Sequence, residues 1–221
     1  MRKLIKITIF ILCFGMLVGF RSSDNAKTFD INELYDYQKE YNSVEMAVCS
    51  LNTAKSYESY RAITATDSAQ YKFIKNYMHV DEETGLLVDN DGFIGVALGS
   101  YYSNQIGTRF YFTLNTGVVI PFVMIDQKAD SETDSMHCYH TYDGSMIELV
   151  IDPTIAKNYF INSYGYSITV MGNFNSFAPF NGYVVKVEKV LDERNEDYVT
   201  FTEQESNDLE INNIYYYASG Y

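Results

Sequence analysis

Residues 95–152 read GVALGSYYSNQIGTRFYFTLNTGVVIPFVMIDQKADSETDSMHCYHTYDGSMIELVID, and this stretch decides the reading of the chain. Two strand-like runs, Arg109–Leu114 and Val118–Ile125, flank Asn115-Thr116-Gly117, a hairpin signal. The second run ends in a carboxylate, Asp126. A polar loop rich in Asp, Ser, Thr and His follows, and the chain then re-enters a strand that carries Glu148. Strand ends that deliver carboxylates into one loop-rich region suit general acid/base chemistry or cation binding.

Outward from this stretch the strand signals continue. Leu86–Val88 and Phe93–Leu98 flank Asp89-Asn90-Asp91-Gly92, a second hairpin. Met146–Ile151, with Glu148 as its one polar residue, reads as a strand whose residues alternate between two faces, and Tyr183–Val190 follows the turn residues Asn181-Gly182. Tyr198–Phe201 and Ile211–Tyr217 can form a terminal pair. Pro121 cannot donate to a ladder, so its run is expected at a sheet edge or a bulge. Helical spacing is confined to the N-terminal part. Ile31, Leu34, Tyr35, Gln38, Tyr41, Val44, Val48 and Leu51 recur at threes and fours, which predicts a helix over 31–57. A short second helix is expected over Ser68–Tyr77, opened by a capping signal at Asp67-Ser68.

The first residues bear on the compartment. Arg2, Lys3 and Lys6 precede an uncharged, largely apolar run from Ile7 to Phe20, the anatomy of a secretory leader. The expected organisation is a signal peptide or membrane anchor at 1–22, a linker and helical segment at 23–57, and a β-domain at 58–221. The expected location is therefore extracellular or at the cell surface, with contact to membrane only through the N-terminal segment if it is retained. All 29 acidic residues follow residue 23, with only 12 of the 16 basic ones, so the exported part carries −17. That charge excludes nucleic acid and anionic lipid surfaces as partners. It is compatible with a neutral glycan, a cationic partner or bound divalent ions.

Strand parity bears on the candidate residues. Met146, Glu148, Val150 and Asp152 share one face of their strand, so Glu148 stands among apolar neighbours, a setting that suits a general acid. Asp126 follows Ile120, Phe122 and Met124 on one face of its own strand. Lys128 is an available ion-pair partner. Asp130, Asp134 and His140 are candidate loop or substrate contacts. His137, Cys138 and His140, with Asp130, Asp134 or Asp143, raise a metal reading. Their spacing is too short for a helix-borne histidine pair and no second metal motif accompanies them, so no metal and no other cofactor is expected. Calcium in the acidic loop stays open. Cys49 and Cys138 are the cysteines beyond the leader, and an oxidising compartment permits a bridge without requiring one.

The succession Ala97-Leu98-Gly99, Ile106-Gly107-Thr108, a hairpin, Ile125-Asp126, a polar loop, Ile147-Glu148-Leu149 and Gly182-Tyr183-Val184-Val185-Lys186-Val187 resembles the 3D domain, a family named for three aspartates. That family is similar to the barrel domain of membrane-bound lytic transglycosylase A. The resemblance covers about residues 93–190. It implies a mainly β protein with a six-stranded double-psi-type β-barrel. Asp126 occupies the place of the family's first loop aspartate, followed here by Gln127-Lys128 instead of Thr-Gly, and Glu148 stands where the family has Asp. The resemblance implies lytic cleavage of peptidoglycan or another glycan by a carboxylate acid/base, with Glu148 and Asp126 as its carriers. The alternative is a non-catalytic module that binds wall glycan or a protein partner through the same fold.

Overall fold

In the computed structural model, the structure describes residues 30, 31, 34, 35, 41–168 and 174–191. The expected leader and the strands expected at Tyr198–Phe201 and Ile211–Tyr217 lie outside these residues. The described chain is mainly β. In order, its elements are β1 (Ser43–Met46), β2 (Lys55–Ser59), α1 (Ala69–Tyr77), β3 (Met78–Val80), β4 (Leu87–Asp89), β5 (Ile94–Leu98), β6 (Arg109–Leu114), β7 (Val119–Gln127), β8 (Ile147–Ile151), α2 (Pro153–Tyr164) and β9 (Val184–Val190). The nine strands form one sheet in the order β1-β9-β6-β7-β5-β4-β3, with β8 joined to β5 and β2 joined to β8. Among the described residues the sheet does not close into a six-stranded barrel.

The hairpins form where the turn residues place them. Asp89 Oδ1 accepts the Asp91 and Phe93 amides at 2.9 Å each, and Asp89 Oδ2 accepts from Arg109 Nη2 at 2.6 Å. That buried arginine spends the Asp-Asn-Asp-Gly carboxylates on the fold. Helix α1 opens on Ser68, whose side chain accepts the Tyr71 amide, and it buries Phe73. Gly107 has φ +88°, and a Cβ there would stand 2.5 Å from the Phe73 ring, so the Ile-Gly-Thr turn needs glycine on both counts.

Two expectations are corrected. Residues 41–59 contain no helix; they supply β1 and β2 instead. Spacing at threes and fours is overridden there by long-range pairing, β1 with β9 and β2 with β8. Residues 32, 33 and 36–40 of the expected helix lie outside the described residues. The run with Pro121 is neither an edge nor bulged at the proline: β7 lies between β6 and β5. The Met124 amide bonds Thr108 O on the β6 side, and Pro121, three residues earlier, has the opposite parity. Its nitrogen therefore faces β5, whose ladder begins only at Phe122, so no hydrogen bond is lost.

Apolar residues cover both faces of the middle strands. Ile120, Phe122 and Met124 join Ile147, Leu149, Ile151 and the buried face of α2 in one cluster. Val123, Ile125 and Val150 join Phe73 and Phe93 in another. Helix α2, unforeseen in the sequence, starts on Asp152, whose Oδ1 accepts the Thr154 and Ile155 amides, and stops at Gly165 in the left-handed region. A Cys49–Cys138 disulfide, left open by the sequence, ties the segment between β1 and β2 to the polar loop after β7.

Candidate active site

The site is assembled by register. Ala97 of β5 pairs with Asp126 on one side and with Glu148 on the other. Residues opposite one another on neighbouring strands point to the same face, so both carboxylates flank a small methyl on one surface. Asp126 reaches this face through a bulge. Met124 pairs with Val96 but Asp126 pairs with Ala97, leaving Ile125 as the extra residue. Simple alternation would leave Asp126 beside Ile120, Phe122 and Met124; the bulge moves it to the opposite face, which corrects the sequence-based parity.

On the far side of β8, Ser56 pairs with Glu148, so Ser56 and Glu58 of β2 present their side chains on the same surface. Glu58, Ala97, Asp126, Gln127, Lys128, Ala129, Glu132, His140, Asp143 and Glu148 line one cleft of about 360 Å³. Glu58 was not legible as a site residue, because the residues just before it read as helix and no strand was expected at 55–59. The alternation of Ser56 and Glu58 with Lys55 and Tyr57 was the signal available.

Glu58 carries the most perturbed carboxyl. Burial first, then the charge of Asp126, a hydrogen bond with Asp126 and the charge of Glu148 push it up to about 8, with Lys128 acting the other way. Its Oε1 is buried with no hydrogen-bond partner, and so is Ser56 Oγ. The charges of Asp126 and Glu148 and the burial of Glu58 all favour its protonated form. Asp126 Oδ1 also accepts the Gln127 amide at 2.8 Å.

Lys128 is buried, its side chain only 2% exposed, and its Nζ donates to Glu148 Oε2 at 2.8 Å. Its backbone amide bonds Leu98 O, which fixes the residue beside β5. Glu148 therefore meets an ammonium rather than only an apolar wall.

Of the other loop candidates, His140 lines the cleft, with Nε2 3.7 Å from Glu132 Oε2 and Nδ1 3.6 Å from Asp143 Oδ1. Asp143 is held low: burial opposes this, but hydrogen bonds from Ser145 and the charges of Lys128 and His140 outweigh it. Asp130 and Asp134 are not among the cleft-lining residues. Asp134 is a loop cap that accepts the Cys138, Tyr139 and Met136 amides; these lower its carboxyl against the effect of burial. Asp130 accepts from Ser100 Oγ at 2.7 Å. Among the described residues, no group of three or more His, Cys, Asp or Glu is arranged to hold a metal ion.

No known family model, curated protein or solved structure matches the chain.

Proposed function

We propose that this cleft cleaves glycan strands of the bacterial cell wall by a lytic transglycosylase-type reaction, in a protein exported under the direction of residues 1–22. The observation that carries the reading is a buried carboxyl, Glu58, that lines one cleft with Asp126 and Glu148, where burial and the charges of those two push it up to about 8. A carboxylic acid poised near working pH is what protonation of a glycosidic oxygen demands. Glu58 donates its proton to that oxygen as the bond from C1 breaks. The same sugar's 6-hydroxyl oxygen bonds C1, and its proton passes to the Glu58–Asp126 pair. The products are a 1,6-anhydro sugar and a free hydroxyl on the leaving strand, and the pair ends with the proton it began with. No water enters the bond, unlike hydrolysis by two carboxylates with a positioned water.

The resemblance to the 3D domain supports the same reading. Asp126 and Glu148, the residues it singles out, share one face across Ala97. The finer architecture, a double-psi-type barrel, is supported by the parallel pairs β2–β8 and β5–β7. The test is incubation of the exported chain with purified peptidoglycan in ¹⁸O-labelled water, read by mass spectrometry. The reading expects 1,6-anhydro ends without label. Labelled reducing ends would make the protein a hydrolase. Binding to the wall with no cleavage would make it a binding module.

A further inference from the structure

Among the described residues, no tyrosine or phenylalanine lines the cleft, although the chain has 21 tyrosines and 14 phenylalanines. A sugar entering it meets carboxylates, a paired lysine and an imidazole. The broad apolar surface on which pyranose rings usually rest is missing from its walls. That surface is available immediately outside. Tyr142 is 91% exposed, the most exposed of the large hydrophobic side chains among the described residues. It lies between His140 and Asp143, both of which line the cleft, and its ring centroid is 6.4 Å from that of His140.

The backbone turn that carries Tyr142 is closed by hydrogen bonds. The His140 amide bonds Ser145 O and the Gly144 amide bonds His140 O, closing the turn on both sides of the tyrosine. Asp143 Oδ1 accepts the Ser145 amide at 2.8 Å, and the Thr141 amide and hydroxyl both bond Glu132 O. Gly144 packs against Asn52, so the turn also rests on the segment tied down by the disulfide. A single exposed aromatic is unremarkable on a flexible loop. Here a turn closed by hydrogen bonds carries one beside a cleft lined by neither tyrosine nor phenylalanine, so the backbone that presents the ring needs little ordering when a sugar settles on it.

We infer that Tyr142 is a substrate-contact residue, a stacking platform for a pyranose ring of the glycan at the mouth of the cleft. The inference rests on the proposed glycan cleavage and adds to it where the strand is gripped. A platform that contacts substrate equally before and during reaction contributes to binding and not to the chemical step.

The chain contains no tryptophan, so Tyr142→Trp places the protein's one tryptophan at the platform, where it can be excited selectively beyond the tyrosine absorption band. It is placed in a Glu58→Gln background to prevent turnover and titrated with a soluble peptidoglycan tetrasaccharide. Tyr183→Trp, outside the cleft lining, is the control. A saturable blue shift for Tyr142→Trp, absent from the control, is expected. In the otherwise native chain, Tyr142→Ala should raise KM about three- to tenfold, with kcat unchanged and recovery in Tyr142→Phe. If native protein cleaves the glycan but Tyr142→Trp shows no shift and Tyr142→Ala keeps its KM, the platform is wrong and the proposed function stands. If the shift saturates but no glycan is cleaved, the platform stands and the proposed reaction falls.

Discussion

Asp126 and Glu148 stand opposite the same residue, Ala97, on the two strands that flank it. With neighbouring strands about 4.8 Å apart, their backbones are about 10 Å from one another, too far for the two carboxylates to meet across the methyl without help. Each instead has a partner of its own. Lys128 engages Glu148, and Glu58 engages Asp126. The cleft thus holds one ion pair beside a buried carboxyl, Glu58, raised by the charge of Asp126.

The proton on Glu58 should be visible in stability. Its carboxyl is raised from 4.5 to about 8 in the folded chain. Between those values the folded protein holds more protons than the unfolded one, so stability falls as pH rises through that window. Tm measured from pH 5 to pH 8 should drop by about 5 °C or more in the native chain. Glu58→Gln should largely remove that slope. Equal slopes in the two proteins would contradict a protonated Glu58.

On the proposed reaction, the same group sets the alkaline limit of activity. With Glu58 as the proposed acid, glycan cleavage is expected to decline as pH rises through about 8. Initial rates from pH 5 to pH 10 test this. A rate still rising at pH 9 would assign the acid elsewhere.

Lys128 is the cation held against Glu148, and it works against the upward shift of Glu58. Lys128→Met leaves three carboxylates facing one another. Loss of the pair should cost about 2–4 kcal/mol, below the figure for a fully buried pair because the Glu148 side chain is 26% exposed. Adding Glu148→Gln should recover part of the loss in denaturant titrations. The alkaline limit of any remaining activity should also move to higher pH.

The disulfide joins residues 89 apart in sequence and anchors the loop that carries Glu132, His140 and Asp143. Cys49→Ser/Cys138→Ser should lower stability by about 2–4 kcal/mol, measured by denaturant titration. Thiol quantification of the unfolded native protein should find no free thiol at either cysteine.

Local signals were legible in the sequence and long-range ones were not. The hairpins at residues 89–92 and 115–117, the Ser68 cap and the β8 alternation all rest on neighbouring residues, and the structure follows them. Helix α2 had its signal in Asp152-Pro153 and Gly165, but the strand before it runs directly into the cap. Strands β1 and β2 are short, and their conformation depends on partners far along the chain. Val190 faces Ser43 and Ile147 faces Lys55. Glu58 inherits that dependence, so the residue with the most unusual carboxyl was hidden until β2 was placed. Asp126 and Glu148 were found from the residues themselves. The bulge that turns Asp126 toward Glu148 leaves no mark in the strand's composition.

The most direct test of the account compares native protein and Glu58→Gln on purified peptidoglycan at pH 6, counting 1,6-anhydro ends released per unit time. The substitution keeps the shape of a side chain already carrying a proton but removes the transferable one. The account predicts release by the native protein and a loss of roughly 10²–10⁴-fold in the variant, with Tm at that pH preserved or raised. Anhydro ends released at the native rate by a folded Glu58→Gln protein would contradict it.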